Sequence, residues 1–312
     1  MSLISLVVPC YNEQEALPIF YEEFKKIALL MEKESFELLL VDDGSKDDTL
    51  KIMKELAEKD LRVKYISFSR NFGKESAIYA GLKNSKGDYV ALMDADLQDP
   101  PSLLPEMFKA VTEEGYDSVA TRRVTRKGEP KIRSFFARKF YKVMNKVSDT
   151  ELVDGARDYR LMSRKFVNAL LEMSEKNRFT KGMFGWVGFK TKWIEFENVQ
   201  RSAGETKWSF KKLCKYALDG IFAFSYFPIK LFTNLALFLI FIGFFGTIAT
   251  GICDICGVAV KSWLYFLGIG AFFTGVITFC IGILGKYVSH IYKEVKDRPI
   301  YIENESNIEK CE

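Results

Sequence analysis

The 312-residue sequence predicts an α/β domain with a mostly parallel sheet, followed by two membrane-spanning helices. Three observations lead to this fold class. Short apolar, β-branched runs alternate with amphipathic stretches as far as about residue 125. Two long runs without a charged residue lie in the last third of the chain. Two basic amphipathic stretches lie between these parts, so the chain is expected to meet a membrane surface.

The alternation in the first part of the chain sets the order of the predicted elements. Strands are predicted at residues 3–8, 36–41, 63–67, 89–93 and 118–121. Helices are predicted at residues 15–32, 49–59, 75–83 and 101–114. A strand–helix order of this kind is typical of a parallel sheet with helices on both faces. Because such sheets bind ligands beyond the carboxyl ends of their strands, the loops after the strands are expected to carry the site.

Residues 231–253 and 263–284 contain no charged side chain. A helix of about 23 residues is roughly 34 Å long, enough to cross the hydrocarbon core of a bilayer. The alternative, two buried helices of a globular core, is less favoured because neither run keeps a polar face. Lys and Arg residues flank the pair of runs, whereas the connection between them has Lys261 as its one basic residue. The positive-inside rule therefore predicts a multi-pass protein of the cytoplasmic membrane with both termini in the cytoplasm.

These patterns predict a cytoplasmic domain at 1–228, a two-helix membrane region at 229–290 and a cytoplasmic tail at 291–312. The basic amphipathic stretches at 131–147 and 208–224 belong to the first part. A single helix of this type commonly packs on its own domain. Two of them ahead of membrane spans favour helices in the membrane interface, where each basic residue gains about 1 kcal/mol from anionic lipid.

The composition argues against several kinds of chemistry. His290 is the one histidine of the sequence, which argues against histidine-based catalysis and multi-histidine metal sites. The six cysteines lack the spacing of a zinc site or a disulfide framework, so a reduced, cytosol-facing domain is expected. The net charge of +4 gives no indication of a nucleic-acid partner, and none is predicted. The N-terminus lacks the basic region and long apolar stretch of a signal peptide.

The strongest local pattern is a pair of carboxylates after the fourth predicted strand. Asp94 and Asp96 follow the apolar run 89–93 with one residue between them. Hard oxygen ligands of this kind suit Mg²⁺ or Mn²⁺, which usually complete their coordination with substrate phosphate. The alternative is a loop of solvated aspartates, or a helix N-cap at Asp99. The position at the end of a parallel strand favours a binding site.

Two other strand ends carry comparable groups. The second strand runs into Asp42 and Asp43, although a turn at Gly44 and an N-cap at Asp48 could explain this segment without a ligand. The first strand ends in the segment Val-Pro-Cys-Tyr-Asn-Glu, residues 8–13. Its aromatic and acidic side chains are able to stack on a base and to accept hydrogen bonds from it.

The ordered set of motifs resembles one known family. Its members are the family 2 glycosyltransferases with the A-type, Rossmann-like nucleotide-sugar fold. Within them the chain looks like the polyprenyl-phosphate glycosyltransferases, which include bactoprenol glucosyltransferase and dolichol-phosphate mannose synthase. Further matching motifs begin at Arg70, Asp158 and Arg201: Arg-Asn-Phe-Gly-Lys, Asp-Tyr-Arg-Leu-Met-Ser-Arg and Arg-x-x-Gly-x-Thr-Lys-Trp. The resemblance covers nearly the whole chain.

The resemblance implies an activity and its partners. A sugar, glucose by this likeness, is expected to pass from a UDP-sugar to undecaprenyl phosphate at the cytoplasmic membrane face. A direct displacement inverts the anomeric centre. The product would serve cell-envelope glycan modification, upstream of a lipid-linked sugar flippase and a second glycosyltransferase. UDP-N-acetylglucosamine and GDP-mannose are alternative donors.

The resemblance also implies roles for individual residues. Asp158 is expected nearest the reacting centre and catalytic together with Asp96, the alternative for Asp158 being an ion pair with Arg157 or Arg160. Donor binding is implied for Pro9, Tyr11, Glu13, Asp42, Asp43, Lys74 and Asp94. Metal binding, of Mg²⁺ or Mn²⁺, is implied for Asp94, Asp96 and Gln98. Contact with acceptor or phosphate is implied for Arg201, Lys207, Arg133 and Arg138.

Two other classes of function stay open at this point. A processive polysaccharide synthase shares the nucleotide-sugar domain, but two spans hardly form a translocation channel and the Gln-x-x-Arg-Trp signature is missing. A non-enzymatic membrane scaffold would be expected to have lost its carboxylates, whereas Asp94 and Asp96 are both present. A homo-oligomer is possible because Gly243, Gly246 and Gly251 form a small-residue pattern.

Overall fold

The structure is a computed structural model. It describes residues 1–124, 153, 155–173, 175–176, 178–197 and 262–308. The predicted basic stretches at 131–147 and 208–224 and the first predicted span at 231–253 lie outside the described residues. Arg133, Arg138, Arg201 and Lys207 lie outside them as well.

Within the described residues, eight strands form a single sheet of order β7-β5-β6-β4-β1-β2-β3-β8. Neighbouring strands run parallel in the pairs β1–β2, β1–β4, β2–β3 and β5–β7. They run antiparallel where β6 pairs with β4 and β5, and where β8 pairs with β3. The strands are β1 Leu3–Cys10, β2 Ser35–Asp42, β3 Val63–Phe68, β4 Tyr89–Leu92, β5 Ser118–Arg123, β6 Ala156–Ser163, β7 Thr191–Phe196 and β8 Glu303–Ser306.

Helices cover both faces of this sheet. Apolar side chains at helical spacing form the buried stripe of the first helix, where Phe20, Phe24 and Ile27 pack inward. The fifth helix begins where the Ser163 hydroxyl accepts a hydrogen bond from the Phe166 amide, a typical N-cap. The helices are α1 Ala16–Leu30, α2 Thr49–Lys59, α3 Lys74–Asn84, a 3₁₀ turn Pro101–Leu103, α4 Leu104–Thr112, α5 Arg164–Glu172, α6 Thr180–Trp186 and α7 Ser262–Val295.

Alternate residues of the central strands enter two separate hydrophobic cores. Leu6 of β1 packs in the core that contains Phe20 of α1, whereas its neighbour Val7 packs in the core that contains Ile78 of α3. Both side chains are fully buried. This alternation follows from the two-residue repeat of a strand and confirms the predicted sheet with two covered faces.

The five predicted strands and four predicted helices are confirmed, with differences at their ends. The helix predicted at 101–114 begins as a 3₁₀ turn, Pro101–Leu103, and ends at Thr112. Three strands were not predicted, namely β6, β7 and β8. Because two of these run antiparallel to their neighbours, the sheet is mixed at both edges and parallel at its centre.

The two predicted membrane spans are not confirmed. The second one, 263–284, falls within α7, while the first lies outside the described residues. Among the residues that the structure describes, no helix combines the length and the apolar character required to cross a membrane.

The segment after α7 returns to the sheet. Its strand β8 pairs antiparallel with β3 and covers that edge, which would otherwise expose unpaired backbone groups. The ring of Tyr301 stacks on Phe68 with centroids 4.8 Å apart. The end of α7 is held too, because the Glu294 carboxylate accepts from the Lys176 amide at 2.9 Å. The last part of the chain thus includes one strand of the same sheet.

Candidate active site

The three polar strand ends recognised in the sequence lie side by side. Strands β4, β1 and β2 are neighbours in the sheet, and all three run in the same direction. Their carboxyl ends therefore meet at one edge, where the loops after them begin. Pro9, the residue before the last one of β1, lies in register with Val41 of β2. The order of the strands thus brings the three motifs together at this edge.

The loop that carries Tyr11 and Glu13 is fastened to the loop after β2. The Asn12 amide donates to the Ser45 hydroxyl at 2.8 Å, and the Glu13 amide donates to the Thr49 hydroxyl at 2.8 Å. Asn12 adopts a left-handed conformation with φ +54°, which asparagine tolerates better than most residues. The two predicted donor-binding side chains are thereby held at the edge of the sheet.

Asp42 and Asp43, which the resemblance assigns to the donor, are buried and hydrogen-bonded within the protein. Asp42 accepts from the Ser67 hydroxyl at 2.8 Å. Asp43 accepts from the amides of Phe72 at 2.6 Å and Gly73 at 3.0 Å. Burial raises the pKa of Asp43 to about 6, against the effect of these two amides. In this structure both carboxylates shape the loops around the edge, and their contact with the donor stays a prediction.

Gly44 allows these loops to approach one another. Its φ is +66°, in the left-handed region. A Cβ at this position would lie 2.5 Å from the carbonyl carbon of Arg70, in the loop between β3 and α3. A side chain would therefore push apart the two loops that present Asp43 and Lys74.

Asp158 faces Asp94 because of the register between β6 and β4. Tyr89 lies opposite Ser163 and Leu92 lies opposite Arg160 in this antiparallel pair. Extended by two residues, the same register places Asp158 opposite Asp94. Two carboxylates that are far apart in the sequence therefore come together at the edge where the three motifs meet.

Lys74, the first residue of α3, bridges these two carboxylates. Its ammonium lies 2.7 Å from an oxygen of Asp94 and 2.5 Å from an oxygen of Asp158. The other oxygen of Asp158 lies 3.6 Å from Lys181 of α6. Burial on its own would raise the pKa of Asp158, but the charges of Lys74 and Lys181 outweigh it and hold that pKa well below its usual value. Asp158 is therefore ionised at neutral pH.

The alternative prediction for Asp158, an ion pair with Arg157 or Arg160, is wrong. Its ion pairs are with Lys74 and Lys181 rather than with Arg157 or Arg160. Arg157 instead pairs with Asp99 at 2.8 Å. Asp99 is 1% exposed, and burial raises its pKa to about 6 against the pull of Arg157. Asp99 is thus a buried partner of Arg157, and Pro100 is the residue that precedes the 3₁₀ turn.

The loop between Asp94 and Asp99 presents the predicted metal ligands. Leu97 adopts φ +53°, and the amide of Gln98 donates to Asp96 at 3.2 Å, so the loop is a tight turn. The side-chain oxygen of Gln98 lies 3.4 Å from a guanidinium nitrogen of Arg157. In the described part of the chain, no group of three or more His, Cys, Asp or Glu side chains could hold a metal ion. Two carboxylates nevertheless fit Mg²⁺ or Mn²⁺ when substrate phosphate and water supply the other ligands.

Sequence reasoning missed Lys181 and the Arg157–Asp99 pair. Lys181 lies in α6, a seven-residue helix between strands that were not predicted. No pattern in the neighbouring residues indicates that it reaches Asp158. Asp99 and Arg157 are separated by 58 positions and meet only through the packing of β6 against β4. Homologous sequences compared position by position are the signal that could have found them.

A model of glycosyl transferase family 2 matches residues 5–171. This chain belongs to that family. It is 43% identical to the putative glycosyltransferase CsbB of Bacillus subtilis, over 98% of this chain and 92% of the relative. It is 40% identical to the bactoprenol glucosyl transferase of Shigella phage SfII, over 97% and 98%.

Solved structures resemble this family 2 chain at lower identity. Mannosyl-3-phosphoglycerate synthase of Rubrobacter xylanophilus is 16% identical, with a TM-score of 0.49 over 70% of this chain and 72% of that one. Glucosyl-3-phosphoglycerate synthase of Mycobacterium tuberculosis, in complex with Mn²⁺, UDP-glucose and phosphoglyceric acid, is 18% identical. Its TM-score is 0.47, over 71% and 78% of the two chains.

Proposed function

We propose that this enzyme transfers glucose from UDP-glucose to a polyprenyl phosphate, undecaprenyl phosphate in bacteria. The observation that carries the proposal is the meeting of Asp94 and Asp158, bridged by Lys74, beside the carboxyl ends of β1 and β2. The likeness over almost the full length to proteins named bactoprenol glucosyl transferase supports the choice of acceptor and sugar. The product is a sugar joined to the lipid through its phosphate.

Asp94 and Asp96 are proposed to hold Mg²⁺ or Mn²⁺ together with the diphosphate of the donor. When bound, such an ion neutralises the charge that develops on the departing nucleoside diphosphate. Lys74 adds a positive charge at the same place, between Asp94 and Asp158. Tyr11 and Glu13, on the fastened loop after β1, are proposed to contact the nucleoside.

Asp158 is proposed to orient the acceptor and to stabilise positive charge at the anomeric carbon. A phosphate monoester has a second pKa of about 6, so most of the acceptor is already deprotonated near neutral pH. Removal of a proton is then not the main task of a carboxylate in this position. Direct attack of the phosphate oxygen on the anomeric carbon gives inversion, and thus a β-linked product from an α-linked donor.

We further propose that the enzyme is anchored in the cytoplasmic membrane by the runs 231–253 and 263–284. The two uncharged runs, the basic stretches around them and the lipid nature of the proposed acceptor support this placement. The contact of α7 with Lys176 and the pairing of β8 with β3 agree with it. Both put the residues after the second run beside the catalytic domain. Use of the product outside the cytoplasm then requires a flippase and a second transferase.

The test is a donor screen with the full-length protein in detergent and undecaprenyl phosphate. Radiolabelled UDP-glucose, UDP-N-acetylglucosamine and GDP-mannose are compared, and the organic extract is counted. We expect a lipid product from UDP-glucose that requires a divalent ion. No lipid product from any donor would refute the proposal, and a long labelled polymer would identify a processive synthase instead.

A matched pair of variants tests the metal ligands in the same assay. Asp96→Asn is expected to lower the transfer rate at least about 100-fold because the neutral amide is a weak ligand for a hard cation. Asp48→Asn is the control, since Asp48 is exposed and its side chain makes no capping hydrogen bond. Equal activity of Asp96→Asn and wild type would remove the assigned metal site.

A further inference from the structure

A cavity of about 290 Å³ lies between the start of β6, the helix α6 and the strand β7. Three cationic side chains line it, those of Arg157, Arg160 and Lys181. Aromatic rings, among them Phe184 and Trp193, form much of the remaining wall. Neither the predicted donor-binding residues nor the predicted metal ligands line this cavity.

Arg160 is the most deeply buried of these cations, at 3% exposure. One guanidinium nitrogen donates to the Ser118 hydroxyl at 3.0 Å, whereas its Nε has no hydrogen-bond partner. The guanidinium lies over the ring of Phe184, 4.3 Å from its centroid. In the described part of the chain, no carboxylate forms a salt bridge with Arg160.

A buried guanidinium without a carboxylate in contact is costly, because it has given up its hydration and the charge of Asp158 acts on it only from a distance. Contacts with aromatic rings and one hydroxyl recover only part of that loss. The cations beside Arg160 already have acidic partners, since Arg157 pairs with Asp99 and Lys181 lies near Asp158. A bound anion would supply the missing charge and an acceptor for the guanidinium.

We propose that this cavity, named here the Arg160 pocket, binds a phosphate group through Arg160, Arg157 and Lys181. The proposal rests on the proposed function for its choice of phosphate. Planar guanidinium groups match the oxygens of a phosphate through paired hydrogen bonds. The aromatic wall suits the apolar carbons next to a phosphate monoester.

Asp158 separates the Arg160 pocket from the predicted metal site. One of its oxygens binds Lys74, which also binds Asp94, and the other lies near Lys181, which lines the pocket. A phosphate in the pocket and a diphosphate at Asp94 would thus lie on two sides of one carboxylate. This placement favours the acceptor as the source of the phosphate, with the donor diphosphate as the other source.

Binding is measured with the full-length protein through the fluorescence of Trp193, which lines the pocket. The probes are inorganic phosphate, farnesyl phosphate, farnesol, and UDP with Mg²⁺. We expect phosphate and farnesyl phosphate to change the emission in a saturable way and farnesol to have no effect. Trp193→Phe is expected to remove the signal, which shows that it originates in the pocket.

Arg160→Gln is expected to raise the dissociation constant of farnesyl phosphate at least about tenfold, because a charge-assisted pair is lost. Lys192→Gln is the control, since Lys192 is the neighbour of Trp193 on β7 but pairs with Glu114 at 2.8 Å and does not line the pocket. If Arg160→Gln fails to fold, Lys181→Met and Gly185→Leu provide the same test, by removing a charge and by filling the cavity. An unchanged affinity in the folded variants, or no phosphate binding at all, would overturn the proposal.

The competition experiment identifies the source of the phosphate. If farnesyl phosphate displaces inorganic phosphate and UDP with Mg²⁺ does not, the pocket holds the acceptor. If UDP with Mg²⁺ displaces inorganic phosphate and farnesyl phosphate does not, the pocket binds a phosphate of the donor. A protein that binds phosphate in this way but forms no glycolipid would refute the proposed function and leave the pocket standing. A protein that forms glycolipid, but whose folded variants all bind phosphate with unaltered affinity, would refute the pocket and leave the proposed function standing.

Discussion

Replacing Lys74 with methionine removes the cation that lies between Asp94 and Asp158. Its ammonium is 2.7 Å from the first carboxylate and 2.5 Å from the second. The three side chains are 31%, 25% and 20% exposed, so water screens their charges only in part. Without Lys74 the two carboxylates face each other as like charges. We expect the variant to be less stable than wild type at pH 7.

The size of the loss follows from the partial burial of the cluster. One contact at this distance is worth roughly 6 kcal/mol of attraction at an effective dielectric constant of about 20, before desolvation is subtracted. Removing one partner of a fully buried pair costs about 3–5 kcal/mol, and an exposed pair contributes about 0.2–1 kcal/mol. We expect about 2–3 kcal/mol here, between these limits. For a domain of about 200 residues this lowers the melting temperature by roughly 4–12 °C.

The pH dependence distinguishes this explanation from a general loss of packing. In the wild type the pKa of Asp158 is depressed by Lys74, so its stabilisation is present above the unfolded pKa of about 3.9 and is lost at lower pH. In the variant, burial and the charge of Asp94 raise the pKa of Asp158 above the unfolded value, because Lys181, at 3.6 Å, opposes them less than Lys74 did. The cost is then present at neutral pH and decreases as the pH falls toward about 5.

Thermal unfolding of the full-length protein between pH 5 and 8 measures both effects. Lys54→Met is the matched control, because it breaks a pair with Glu305 whose side chains are 41% and 35% exposed. The control is expected to lose less than about 1 kcal/mol. A Lys74→Met protein that melts at the wild-type temperature at pH 7 would refute this reasoning. So would a difference from wild type that stays constant across this pH range.

Three further predictions also concern the stability of the protein. Burial raises the pKa of Asp43 to about 6, above its unfolded value. Its charged form therefore lowers the free energy of unfolding by about 2–3 kcal/mol above pH 6 and has no effect below about pH 4. Asp43→Asn should remove this part of the pH profile of stability, and an unchanged profile would contradict the prediction. Arg157→Met leaves Asp99, 1% exposed, without its cation and should cost about 3 kcal/mol. The double variant Arg157→Met with Asp99→Asn should lose less stability than Arg157→Met alone. A loss equal to the sum of the two single changes would show that the two side chains do not stabilise each other. Tyr301→Ala removes the ring stacked on Phe68 and should cost about 1–3 kcal/mol. Hydrogen exchange should then increase in β8 before the central strands, and uniform exchange would show that β8 is not held by this contact.

The parallel centre of the sheet could be predicted because its strands are buried on both faces. β1 and β2 are nearly continuous apolar runs, and each is followed by a helix with a clear apolar stripe. β6 lacks this pattern, since Arg157, Asp158 and Arg160 fall within it. These charges are accommodated by ion pairs and aromatic rings from other elements, which the local sequence does not reveal. β8, of sequence Glu-Asn-Glu-Ser, has no apolar residue and forms only because the edge of β3 is available.

The candidate site also has a part that the sequence predicts and a part that depends on tertiary structure. Asp94 and Asp96 could be located from the strand that precedes them, and their place beside β1 and β2 follows from the order of parallel strands. The two contacts of Lys74 could not be predicted, because they depend on where α3 begins relative to β6. Asp42 and Asp43 were correctly placed at the edge, but their hydrogen bonds to the neighbouring loops are set by tertiary structure.

The antiparallel direction of β6 connects the proposed reaction centre with the proposed phosphate pocket. Asp158 and Arg160 are two residues apart on this strand, so their side chains leave the same face at a separation of about 7 Å along the chain. A shift of one residue in the register of β6 would turn the side chains of Asp158 and Arg160 to the other face of the sheet. Tyr159 would then point to the face that they occupy now. Tyr159 is fully buried against the opposite core and could not supply either charge. One strand register thus fixes both the carboxylate that faces Asp94 and the guanidinium that lines the pocket. If a phosphate binds Arg160, it lies within one strand repeat of the carboxylate beside which the donor is proposed to react.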